Sequence, residues 1–85
     1  MKKLTQEQVL EIIDSISSDQ IEFERIRPHN KGEIRRKDLM DKTAFKQMVM
    51  QSIEEERQRG GDIEVKIPLL KKILVGHHDG IYWLE

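Results

Sequence analysis

The sequence contains no cysteine, which excludes disulfide staples, thiolate zinc sites and a cysteine nucleophile. It also lacks any run approaching the roughly 18 consecutive apolar residues needed to span a bilayer. Lys2 and Lys3 lead into an amphipathic segment containing Glu7 and Glu11, not into the apolar stretch of a secretion signal. The expectation is a soluble, cytoplasmic protein. Glycine is sparse as well. Gly60-Gly61 lacks the spaced glycines and the lysine of a phosphate-binding loop.

Charge, by contrast, is plentiful: charged and hydrophobic residues each make up 36% of the 85 residues, and the net charge is −1. The length fits a single domain spanning residues 1–85. A domain this small buries only about 60–65% of its unfolded surface, leaving little material for a deep substrate cleft. The charges are unevenly distributed. Residues 1–24 set Lys2 and Lys3 against six carboxylates. Residues 25–46 set Arg25, Arg27, Lys31, Arg35, Arg36, Lys37, Lys42 and Lys46 against Glu33, Asp38 and Asp41. A basic island thus lies between acidic flanks.

Thr5 followed by Gln8 forms a capping box, and Leu4 with Val9 the matching hydrophobic staple. Val9, Ile12, Ile13 and Ile16 then share one helical face, predicting a helix over 6–17 that the Ser17-Ser18-Asp19 cluster ends. In residues 20–27, Ile21 and Phe23 alternate with Glu22 and Glu24, the pattern of a half-buried strand stopped by Pro28. Residues 28–32 read as a turn, and 33–40 as a short helix or the lead-in to the next one. A long helix is expected from 41 or 43 to 59, with Phe45, Met48, Val49, Ser52 and Ile53 inward and Gly60-Gly61 terminating it. Ile63, Val65 and Ile67 alternate as a second strand. For 68–75, Pro68 and Gly76 favour a two-turn helix. The competing reading makes 70–75 a strand paired with 81–84 across the His77-His78-Asp79-Gly80 turn.

The expected fold class is therefore α+β, two main helices packed on a small antiparallel sheet. Ile21, Phe23, Phe45, Met48, Val49, Ile53 and one of Tyr82 and Trp83 should meet in the core. The order helix, strand, basic short helix, long helix, C-terminal strands is that of a winged helix-turn-helix, in which Arg and Lys meet backbone phosphates.

Catalytic chemistry finds no footing. Adjacent His77 and His78 point to opposite faces of an extended segment, so they do not converge on a metal. Glu54, Glu55 and Glu56 fan over about 200° of a helix and form a solvated face, not a dyad. Ser15, Ser17, Ser18 and Ser52 lack the sharp turn of an activated nucleophile. Met40, Met48 and Met50 read as core packing before adaptable surface. No enzyme, cofactor or metal is expected. The leading expectation is a regulatory protein that binds nucleic acid through residues 25–46, with Arg25, Arg27, Lys31, Arg35, Arg36, Lys37, Lys42 and Lys46 as contacts. The alternative is a protein–protein module such as a small inhibitor, immunity protein or adaptor. A homodimer is compatible with the strand edges and aromatic residues near the C-terminus.

Overall fold

The computed structural model describes residues 2–29, 32–77 and 79–84. It is an α+β fold in the order β1 (Lys2–Leu4), α1 (Gln6–Asp14), β2 (Gln20–His29), β3 (Gly32–Asp41), α2 (Lys42–Arg59), β4 (Ile63–Ile67), a single 3-10 turn (Pro68–Leu70), β5 (Lys72–His77) and β6 (Gly80–Leu84). The six strands form one open sheet in the order β1-β6-β5-β4-β2-β3, every neighbouring pair antiparallel. Both helices lie on one face of it, and among the described residues nothing covers the other.

Local chemistry sets the helix limits. Thr5 Oγ1 accepts the Gln8 N–H at 3.1 Å, and Gln8 Oε1 accepts the Thr5 N–H at 2.9 Å, completing the expected capping box. The helix stops at Asp14 instead of reaching 17. The Ser15 hydroxyl donates to the Ile12 carbonyl at 2.6 Å, the back-bonding by which serine competes with the helical ladder. α2 starts on Asp41, whose carboxylate accepts the Ala44 N–H at 2.8 Å, and ends on Gly60 in the left-handed region at φ 72°.

The core is the inner face of the sheet and the inward stripes of both helices. Val9 and Ile13 of α1 and Phe45, Val49 and Ile53 of α2 meet Leu4, Ile21, Phe23, Ile63, Val65, Ile67, Leu74 and Ile81. The rings of Phe23 and Phe45 stand 5.0 Å apart at a tilt of 52°. Met40, Met48 and Met50 pack partly buried against this cluster. Gly76 lets α2 come close: a Cβ there would lie 3.0 Å from Ile53 and 3.1 Å from Ile63. Trp83 is the C-terminal aromatic that joins the core, while Tyr82 faces the open side and its hydroxyl donates to Asp79 at 3.1 Å. No helix among the described residues is long and apolar enough to cross a membrane.

Several expectations change. Pro28 does not stop the first long strand: β2 runs on to His29, because residue 28 faces Glu33 at a position that exchanges no backbone bonds with β3, so the missing N–H costs that ladder nothing. Residues 33–40 form strand, not a short helix, because the chain turns back and pairs with β2 over its whole length, from His29 opposite Gly32 to Gln20 opposite Asp41. With strand instead of a short helix between β2 and α2, the expected order of a winged helix-turn-helix is not met. Residues 68–75 are not a two-turn helix. Lys71 takes a left-handed φ of 54° after one 3-10 turn, and β5 follows, pairing with both β4 and β6. The strand alternative for this stretch is the one the fold adopts. Leu4, expected only as the apolar residue before the helix cap, also ends the short strand β1, which pairs beside β6.

Phe45 is fully buried, so Phe45→Ala should cost about 3–5 kcal/mol in urea denaturation monitored by far-UV circular dichroism. Thr5→Ala, which removes only the cap, should cost about 1 kcal/mol in the same measurement.

Candidate functional site

The β2–β3 hairpin pairs ten residues with ten, but β4 holds β2 only from Glu24 to Ile26, and among the described residues nothing pairs with the far side of β3. β3 is therefore a long edge strand. The direction of its backbone groups follows from two hydrogen bonds. Lys42 N–H donates to the Asp19 carbonyl at 2.9 Å, continuing the ladder just beyond the strand pair. Leu39 N–H donates to the Asp38 carboxylate at 2.8 Å, not to β2. Antiparallel residues alternate between exchanging both bonds with the neighbour and exchanging neither. Ile34, Arg36, Asp38 and Met40 thus bond to β2, while the N–H and C=O of Glu33, Arg35 and Lys37 point away from the sheet with those of Leu39. The Asp38 carboxylate already satisfies the Leu39 donor.

Side chains alternate at right angles to this. Ile34, Arg36, Asp38 and Met40 project on the helix side, and Glu33, Arg35, Lys37 and Leu39 on the open side. Every β3 residue from Gly32 to Leu39 is exposed. Ile34 is 52% and Leu39 58% exposed, two of the three large apolar side chains so placed among the described residues. The edge thus combines unpaired peptide groups, a basic centre and an aliphatic residue near each end.

The expected contact residues divide among several environments. Arg25 lies on the helix side, where its Nη1 donates to Ser52 Oγ on α2 at 3.2 Å. Its pKa is lowered by burial first, and then by the neighbouring charges of Arg27 and Arg36. Arg27 reaches α2 too, with Nε 3.8 Å from Glu56 Oε1; that Nε is buried and makes no hydrogen bond. Glu56, itself buried, also stands 3.7 Å from Arg59. Arg35 lies on the open face and donates to Glu24 at 2.9 Å and Glu33 at 2.8 Å, bonds that raise its pKa. Lys42 Nζ donates to the backbone carbonyls of Ile16 at 2.6 Å and Asp14 at 3.3 Å, tying the end of α1 to the start of α2. Lys46 forms an ion pair with Asp14. Lys31 lies outside the described residues. Arg36 and Lys37 remain, neighbours on opposite faces, without a side-chain hydrogen bond or ion pair among the described residues.

Arg36 stands directly opposite Arg25 across the strand pair, two like charges at one cross-strand position. A groove of about 300 Å³ runs between the hairpin and α2 beside them, lined by Arg25, Met40, Gln47, Gln51, Ser52 and Glu55 among others. Elsewhere, among the described residues, no three histidines or carboxylates are gathered to hold a metal ion. His77 Nδ1 meets Asp62 Oδ1 at 2.7 Å. His78 lies outside the described residues.

Sequence reasoning missed the edge itself. The available signal was symmetry about 28–32: a run of about eight strand-compatible residues on each side of Pro28, Asn30 and Gly32 is also the signature of a hairpin. The chain matches no protein-family model, no curated protein and no solved structure.

The two kinds of lysine should separate experimentally. Lys42→Ala removes bonds to the carbonyls of Asp14, at the end of α1, and Ile16, just past it, and should cost about 1 kcal/mol by urea denaturation. Lys37→Ala should change stability by less than about 0.5 kcal/mol.

Proposed function

We propose that this chain is a non-enzymatic protein-interaction module whose partner adds a strand to the free edge of β3. One observation carries the reading: a ten-residue strand at the sheet margin, exposed on both faces, with the peptide groups of Glu33, Arg35 and Lys37 directed outward. Strand addition draws its affinity from such main-chain bonds and its specificity from alternate side chains. Natural proteins shorten, cover, bend or charge an edge of this length. Here only the charges guard it, and they leave it open to a strand of complementary sign.

Nucleic-acid contact through residues 25–46 has weaker support. A phosphate backbone rewards cations gathered on one surface. Arg27, Arg35 and Lys46 are paired with carboxylates, Lys42 holds two backbone carbonyls, and Arg36 and Lys37 face opposite ways. A winged-helix mode would further need a helix where β3 lies.

The reading is tested by selecting peptides from a random display library on the parent protein and measuring them on Lys37→Pro. Proline removes an outward N–H without touching the β2 ladder, so the variant should keep its fold by circular dichroism. Selected peptides should bind Lys37→Pro at least about tenfold more weakly. Equal binding to both proteins would contradict strand addition. So would a failure to select any peptide while duplex DNA binds with a steep salt dependence.

A further inference from the structure

An edge strand open to a partner is equally open to a second copy of the same chain, and its charge pattern distinguishes the two. Two copies of β3 paired antiparallel about a twofold axis must set outward-facing residues opposite one another, so odd-numbered residues meet odd-numbered ones. Centring the axis on Arg35 places that guanidinium opposite itself. Centring it on Lys37 does the same for the ammonium. Centring it on Arg36 sets Arg36 against Arg36 and Arg35 against Lys37 on both sides. Each of these registers sets like charges face to face at or beside the axis, which destabilises a cross-strand pair, and those on Arg35 and Lys37 offset it by setting Lys37 against Glu33 and Arg36 against Asp38. A partner strand that is acidic at its centre meets no such conflict.

The local compensation shows where that sign is wanted. Arg35 already holds Glu24 and Glu33. Arg36 has Arg25 opposite it, and among the described residues the Arg25 side chain donates only to the neutral Ser52 hydroxyl. Asp38 and Glu55 are the carboxylates that act on Arg25 on this side, and both lie on this chain's own elements. Lys37 faces the open side opposite Glu24, whose carboxylate is bonded to Arg35 and which also has Lys66 opposite it on β4. Two cations thus remain at the centre of the edge, one on each face, bracketed by exposed Ile34 on the helix side and exposed Leu39 on the open side.

We infer that the strand this edge accepts is acidic at its centre and aliphatic on either side. Its carboxylates lie opposite Arg36 and Lys37, and its apolar residues opposite Ile34 and Leu39. The addition is antiparallel, like every other pair in the sheet. Adjacent acidic residues on an extended segment point to opposite faces, which matches the opposed directions of Arg36 and Lys37. The partner is a protein segment of that composition, because a nucleic acid offers neither alternating side chains nor peptide groups to continue the ladder. This inference rests on the edge-binding reading and assigns the partner's chemistry.

The probe is a capped peptide, Val-Thr-Glu-Glu-Thr-Val-Thr, compared with its counterpart carrying glutamine for both glutamates. Each is titrated into the full chain, labelled with nitrogen-15, to millimolar concentration. The glutamate peptide should shift the amide resonances of β3 and bind about tenfold more tightly than the glutamine peptide. In the double variant Arg36→Gln with Lys37→Gln, changed at two exposed positions and checked for the parent's fold by circular dichroism, the two peptides should bind alike. Equal binding of the two peptides at β3 of the parent would overturn the assigned chemistry and leave the edge reading standing. Shifts confined to residues outside β3, or none from either peptide, would overturn both. Dimerisation of the parent through β3 at the concentrations of the titration would overturn the charge argument.

Discussion

Phe45, Val49 and Ile53 form one stripe on α2, and the sheet is built around what that stripe covers. Phe23 tilts against Phe45 at 5.0 Å, and Ile53 sits over Gly76 and Ile63. A helix is only about 10–12 Å across with its side chains, and strands lie about 4.8 Å apart. α2 and the shorter α1 therefore cover the middle strands and the β1–β6 side, and leave the far margin uncovered. Most of β3 falls beyond that reach, Met40 at its α2 end being the residue that still packs against the core. It cannot bury an apolar face as β4 does, and its side chains are accordingly polar on both sides with the exception of Ile34, Leu39 and the half-buried Met40.

The polar contacts follow the same division. Where α2 still overhangs β2, arginines stand at positions that apolar residues occupy earlier in the strand: Ile21 and Phe23 give way to Arg25 and Arg27. These reach up to Ser52 and Glu56 on the helix. Lys42 and Lys46 perform the corresponding task at the other end of α2, fastening it to the end of α1. Cations near in sequence are thus spent on holding α2 to the sheet and to α1. The margin keeps Arg36 and Lys37, and the proposed partner supplies what the fold leaves uncompensated there.

The helices were legible because they carry an apolar stripe at helical spacing with caps at their starts, and β4 because it alternates. β3 was not, since a strand exposed on both faces has no apolar period to read, and a run such as Arg35-Arg36-Lys37 is compatible with helix or strand. β5 was ambiguous for the opposite reason. Leu74 faces the helices while Val75 is buried on the open face beneath its neighbours' side chains, so the apolar residues run consecutively and resemble a buried helix. The charge asymmetry of residues 25–46 was visible, but its division was not. A basic run placed on a strand splits between two faces, and only the register with β2 shows which cations meet a carboxylate, which meet a helix, and which meet another arginine.

The central claim is that β3 offers alternate peptide groups to a partner, and native-state hydrogen exchange of the free protein tests it directly. The amides of Ile34, Arg36, Asp38 and Met40, bonded to β2, should be protected. Those of Glu33, Arg35 and Lys37 should exchange close to the rate of an open chain, with Leu39 between the two because of its bond to Asp38. Uniform protection along the strand would mean that its outer edge is already covered. Uniform lack of protection would mean that the β2–β3 pair does not hold, and either result would contradict the account.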